Sequence, residues 1–232
     1  MKTMSLFQPE DSGVVIEADE QFGGGWELAR VRSETEIERQ WWQGKYLPDL
    51  ENGLAAKDKG ELIEVQHGVA GRNYDLVRMP EMTFTEQGQV NLLRPEAFLV
   101  LEDLMADLKE KFPGVVFPVT ALWRTDKAQE KMREQYGSWA MEPGESSHHS
   151  GAAFDISLRS YWVTGPNGER QSVSTWANSK DFDPSIPHRL VDEAERLQVE
   201  GTKMNLVVER AQSDGRIVPA VLHVCVGPQI KV

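Results

Sequence analysis

Pro143-Gly-Glu-Ser-Ser-His-His-Ser-Gly-Ala-Ala-Phe-Asp-Ile-Ser157 is the stretch around which the chain is organised. Two histidines, two carboxylates, four serines and two glycines lead into a short apolar run. His148 and Asp155 have a spacing that a helix would place on one face. Gly144, Gly151 and the serines argue instead for a loop that feeds a strand over Ala153–Leu158. Imidazole and carboxylate together suit zinc, whose catalytic sites use three protein ligands and leave one position open. His148 and Asp155 are thus two candidate ligands, and the third must come from elsewhere in the chain.

Upstream of that stretch, Leu99, Leu101, Leu104, Met105 and Leu108 recur at near-helical spacing, which predicts an amphipathic helix over Pro95–Phe112. Pro113-Gly114 stops it. Val115–Leu122 reads as a buried strand ending at Trp123-Arg124-Thr125, and Asp126–Tyr136 as a second helix. Downstream, Ser160–Pro187 is long and irregular, with a turn at Pro166-Asn-Gly168 and a hairpin expected around it; such loops are often lids or binding loops. Pro187–Gln198 carries Leu190, Val191, Ala194 and Leu197 on one helical face. Met204–Val208 and Ile217–Val226 read as strands of a hairpin turning at Asp214-Gly215. This order predicts an α+β domain, residues 91–232, with helices flanking a small antiparallel sheet.

Residues 1–90 read as a mixed, loop-rich region. Val14–Ala18 is a short apolar run, followed by a break at Gly23-Gly24-Gly25. Ser33-Glu-Thr-Glu36 fits a capping box opening a helix to about Trp42. Leu62–Val65 and Tyr74–Met79 are expected strands, and Trp41-Trp42 is expected to pack in a core or interface.

With 232 residues, 40% of them apolar and 27% charged, the chain can bury a sizeable core. A net charge of −12 and the lack of a basic stripe argue against a nucleic-acid partner and against adsorption to anionic lipid. No stretch has the roughly 20 apolar residues of a membrane span, so no membrane insertion is expected. Met1–Glu10 lacks the apolar core of a signal peptide. A soluble intracellular protein is expected, or one of the cell envelope if a targeting segment was trimmed. The single cysteine, Cys225, excludes an intrachain disulfide and every multi-cysteine metal site.

The histidines are His67, His148, His149, His188 and His223. His67, just past an expected strand, reads as structural. His223, in Ala220-Val-Leu-His-Val-Cys-Val226, lies in the last strong strand. An isolated histidine there is usually a core residue, but few others are available to complete a site. His149 cannot easily join His148 as a ligand, because adjacent side chains diverge; it reads as a substrate contact or a loop residue.

Ser146-x-His148-x-x-Gly151-x-Ala153-x-Asp155, with His223, resembles the motif of the zinc D-alanyl-D-alanine metallopeptidases. That group includes D-Ala-D-Ala carboxypeptidases and dipeptidases and phage endolysin L-alanyl-D-glutamate peptidases. By element order the resemblance spans about Leu93 to Val226. It implies a hedgehog/D-Ala-D-Ala-peptidase-like fold, Zn2+ held by His148, Asp155 and His223, and peptidoglycan stem peptides as substrates. Trp123-Arg124-Thr125 with Gln129 resembles the family's arginine-bearing strand end, which implies that Arg124 faces the scissile carbonyl. A guanidinium there suits the oxyanion of a tetrahedral intermediate. Ser146 is expected to support the ligands by hydrogen bonding.

One position departs from the pattern. The family's catalytic Glu or Asp stands three residues before the last histidine, where this chain has Ala220. Counting back from a two-residue Asp214-Gly215 turn places Glu209 opposite Ala220, which makes Glu209 the candidate general base. A one-residue bulge near Pro219 would reverse that face and exclude Glu209. Ala220 also motivates an alternative, a zinc-binding but inactive relative acting as a cell-wall or peptide-binding module. A metal-free structural domain is the third reading.

Overall fold

In the computed structural model, which describes residues 34–77, 83–85, 88–136, 141–175, 180–213 and 216–228, two short helices come first. These are α1 (Glu34–Trp41) and α2 (Leu50–Asp58). Five brief strands follow: β1 (Ile63–Glu64), β2 (Tyr74–Leu76), β3 (Phe84–Thr85), β4 (Gly88–Gln89) and β5 (Leu92–Leu93). Then come α3 (Pro95–Lys111), β6 (Val115–Ala121), α4 (Asp126–Tyr136) and a 3-10 turn at Ser147–Ser150. The remainder is β7 (Ala153–Ser157), β8 (Ser160–Thr164), β9 (Arg170–Ser174), α5 (Ser185–Val199), β10 (Met204–Ser213) and β11 (Arg216–Val226).

α3 starts with Pro95 in its first turn, where the missing N–H costs nothing. Its inward stripe is Ala97, Val100, Leu101, Leu104, Met105 and Leu108. Leu99, counted on the apolar face in the sequence, is exposed, because it lies a half-turn away from Leu101 on the helix. α5 buries Leu190, Val191 and Ala194 as its periodicity predicts, and it begins two residues earlier than Pro187.

The result is α+β with a mostly antiparallel sheet. Seven strands run in the order β10-β11-β7-β6-β8-β9, with β2 added alongside β6. Among the described residues β2 is the one parallel neighbour, Tyr74 standing opposite Phe117. Residues before 91 thus share the main sheet with those after it. The hairpin expected within Ser160–Pro187 is β8–β9, so much of that segment is paired strand. α2 and β3 to β5 had no counterpart in the sequence reading. Val14–Ala18, Gly23–Gly25, Ser33, Met79 and the Asp214-Gly215 turn lie outside the described residues.

Strand alternation separates the two sheet faces. Phe154 and Ile156 of β7 and Leu222 and Val224 of β11 join the buried stripes of α3 and α5 in the principal core. The opposite face carries Ala153, Asp155, His223 and Cys225, and it is there that the polar chemistry collects. Trp41 and Trp42 pack on this second face against Ala152, Ala153 and Cys225, and the Trp42 indole N–H donates to the Val226 carbonyl at 3.0 Å.

A smaller cluster, Ala56, Leu62, Leu92 and Trp123, ties α2 to the residue just before Arg124. Gly53 makes the contact possible: a Cβ there would lie 2.3 Å from the Trp123 ring. Gly53→Ala is therefore expected to destabilise the protein by about 1–3 kcal/mol through overpacking. Urea unfolding reads this directly, and an unchanged midpoint would contradict the packing.

Candidate metal centre

Each fixed position of the motif has a physical task. The Ser146 hydroxyl accepts from the His148 backbone N–H at 3.4 Å and caps the 3-10 turn. The turn delivers His148 and ends at Gly151, whose φ of 73° is left-handed and whose missing Cβ leaves room for Leu62. Ala153 is buried beside Cys225, where a larger side chain would displace the tryptophans. Asp155, two residues on, projects from the same face of β7.

The third corner comes from pairing. β11 runs antiparallel to β7 with His223 directly opposite Asp155, so residues 68 apart in sequence meet across a single strand pair. His148, Asp155 and His223 are all buried, and each offers a ligand atom within 4.8 Å of the other two. His223 Nδ1 is 2.7 Å from Asp155 Oδ1, and His148 Nε2 is 3.2 Å from Asp155 Oδ2. Bonds of about 2.0–2.1 Å to a tetrahedral zinc would set ligand atoms about 3.3 Å apart, a spacing these separations approach.

Two of the three donors are in protonation states that suit a metal ion. His148 Nδ1 is 2.8 Å from the Leu122 carbonyl, to which it donates as the protonated nitrogen, leaving Nε2 free to ligate a metal ion. Burial lowers the His148 pKa, which keeps the ring neutral. For Asp155, burial pushes toward the acid form, but the two neighbouring histidines hold the carboxyl well below its ordinary value. A buried group of two imidazoles and one carboxylate can hold a metal ion, and this donor set suits zinc among others.

Arg124 sits three residues past the end of β6, whose Ala121 pairs with Asp155. Its Nη2 is 3.9 Å from Asp155 Oδ2, and its Nη1 donates to Gln129 Oε1 at 2.9 Å. Gln129 is itself anchored, donating to the Met141 carbonyl at 2.8 Å. The guanidinium is thus buried and braced against the edge of the triad.

His149 points elsewhere. It is buried beside Tyr46, and its Nδ1 is 2.8 Å from the Arg124 carbonyl, to which it donates. Burial lowers its pKa from the ordinary 6.5 to about 4. Between those values the unfolded chain binds the proton and the folded one does not, so stability falls as the pH falls through the window. The slope is up to about 1.4 kcal/mol per pH unit. Urea unfolding from pH 7 to 5 is expected to show a steeper loss for the metal-free wild type than for His149→Gln; equal slopes would assign the acid sensitivity to other groups.

Glu209 does not stand opposite Ala220. The ladder shifts register between Glu209 and Arg210, so Arg210 pairs with Pro219 and Glu209 with Val221. Pro219 lacks an N–H and cannot continue a regular ladder, which accounts for a bulge at this point. A bulge here is expected to exclude Glu209, but the observed register gives the opposite, because Val221 rather than Ala220 shares the face of His223. Val207 opposes His223, and opposed and alternate residues share a face, so Glu209 lies on the metal face, one diagonal step of about 7–8 Å from His223.

The sequence reading missed Glu38. It is 3% exposed on α1, its Oε1 is 3.7 Å from His223 Nε2, and it accepts from Asn205 Nδ2 at 2.8 Å. Burial would raise its pKa, yet hydrogen bonds and charge from His223, with help from Asn205 and Ser147, hold it below the usual carboxylate value. A signal was present: Glu38 shares a helical face with Trp41 and Trp42, an apolar face on which a carboxylate needs a partner.

No model of a known protein family matches the chain, and no curated protein matches it.

Proposed function

We propose that the chain is a zinc-dependent peptidase of the D-Ala-D-Ala-peptidase-like type, hydrolysing peptide bonds in peptidoglycan stem peptides. The observation that carries this reading is the buried His148–Asp155–His223 group with the Arg124 guanidinium 3.9 Å from Asp155. Zinc, when bound, supplies Lewis-acid polarisation of the scissile carbonyl and lowers the pKa of water.

The protein's own groups do the rest. His148 and His223 donate neutral nitrogens and Asp155 a carboxylate oxygen. Arg124, held by Gln129, offers a fixed positive charge to the oxygen on which negative charge develops. Glu209, on the same sheet face as His223, takes the proton from the attacking water and returns it to the leaving amine. The resemblance of the motif supplies the substrate class, stem peptides with their D-amino acids.

Ala220 favours a second reading, a zinc-binding module without catalysis, since the position of the usual acid holds a methyl group. Protein purified without chelator is expected to carry one zinc and to cleave muropeptides or a D-Ala-D-Ala peptide under zinc-replete conditions. Cleavage lost in Glu209→Gln but retained in wild type supports Glu209 as the base. Zinc without turnover selects the binding module, and absence of zinc rejects both.

A further inference from the structure

His223 presents its two ring nitrogens to two different carboxylates. Nδ1 faces Asp155 at 2.7 Å, inside the triad. Nε2 faces the other way, 3.2 Å from Ser147 Oγ and 3.7 Å from Glu38 Oε1. His223 is 1% exposed and Glu38 3%, so water screens this arrangement little. The Glu38 carboxylate is itself oriented by Asn205, the residue on β10 paired with Cys225.

We infer that Glu38 is a positioning residue of the metal site, the outer carboxylate that keeps the proton of His223 on Nε2 and so reserves the Nδ1 lone pair for the metal. This rests on the metal-site reading above and adds to it a residue from the region before the motif-bearing domain. The physical reason is the tautomer choice. Both ring nitrogens face a carboxylate, Asp155 more closely than Glu38. A cation bound at Nδ1 takes the proton's place there, so the one remaining N–H lies on Nε2, toward Ser147 and Glu38. Partners of this kind fix both ring orientation and ligand basicity, and losing one typically lowers metal affinity about 10- to 100-fold.

Ser147 lies within reach of Nε2 and shares the contact, whereas Leu122 O performs the same task for His148. One ligand is therefore oriented by a neutral carbonyl and the other by a charged group delivered on α1. Docking of α1 onto the sheet face and assembly of the metal site become one event. Glu38 does not act as the base, because it lies on the side of His223 turned away from Asp155 and His148.

Zinc affinity of the full chain, measured by competition with a chromophoric chelator, tests this. Glu38→Gln keeps the size and hydrogen-bonding capacity of the side chain but removes its charge, and it is expected to bind zinc about tenfold more weakly. Glu38→Ala is expected to approach 100-fold. Thermal unfolding of the metal-free Glu38→Gln variant should match wild type, which separates positioning from a fold defect. In the zinc-loaded wild type, ¹⁵N spectra should place the His223 proton on Nε2. Wild-type affinity retained within twofold in Glu38→Gln, or a His223 proton found on Nδ1, overturns the role of Glu38 while leaving the metal site standing. Failure of the wild type to bind zinc overturns both.

Discussion

Asp155→Asn is expected to abolish zinc loading while leaving the protein folded. Asp155 is the hinge of the triad: one oxygen meets His223 at 2.7 Å, and the other meets His148 at 3.2 Å. An amide keeps the shape but loses the charge that a dication needs. The loss in affinity should exceed about 100-fold, the upper end of what removal of an outer partner costs. Asp155→Ala goes further, because it leaves two histidines and Arg124 around a void. Breaking a buried charged pair in this way costs about 3–5 kcal/mol. Elemental analysis with equilibrium dialysis measures the first effect, and urea unfolding the second. Full zinc stoichiometry in Asp155→Asn would reject the site.

Arg124→Met is expected to lower kcat by about 10²- to 10³-fold, the typical effect of removing one group that stabilises an oxyanion. KM and zinc content should change little, since the guanidinium is 3.9 Å from Asp155 and is not among the metal-binding group. Arg124→Lys should restore little of the loss. An ammonium lacks the planar fork that lets Nη1 hold Gln129 while Nη2 faces the site. Gln129→Ala, which removes only that brace, should have a smaller effect in the same direction. A kcat in Arg124→Met within threefold of wild type would remove Arg124 from the mechanism. Zinc lost along with turnover would recast it as support for Asp155.

The two mutations address residues that the sequence marked in different ways. Asp155 stood in a dense pattern in which the capping serine and the left-handed glycine have local causes. Local causes are legible because they act over a few residues of chain. His223 was marked by the family resemblance and by the scarcity of other histidines, but its placement opposite Asp155 is a matter of which strands pair. Helices such as α3 and α5 and the strands around the motif were visible as periodicity. α2 was not, because its nine residues carry almost no apolar asymmetry and are held in place by Gly53 against Trp123.

Glu209 and Glu38 mark the boundary. For Glu209, counting back from the turn assumed an unbroken ladder, and one skipped residue by Pro219 moved it to a different partner and onto the metal face. For Glu38, the helical face it shares with the tryptophans is one that position 34 shares as well, and only the docking of α1 brings Glu38 to His223. The chain alone determined the α+β class and the residue types able to bind a metal, since propensity, turn chemistry and donor chemistry are properties of short segments. Only the tertiary structure decided that His223 lies across from Asp155, which carboxylate stands behind it and which face Glu209 occupies. Those depend on strand register and on the docking of α1, and contacts between residues 68 or 185 positions apart are set by packing that no local pattern encodes.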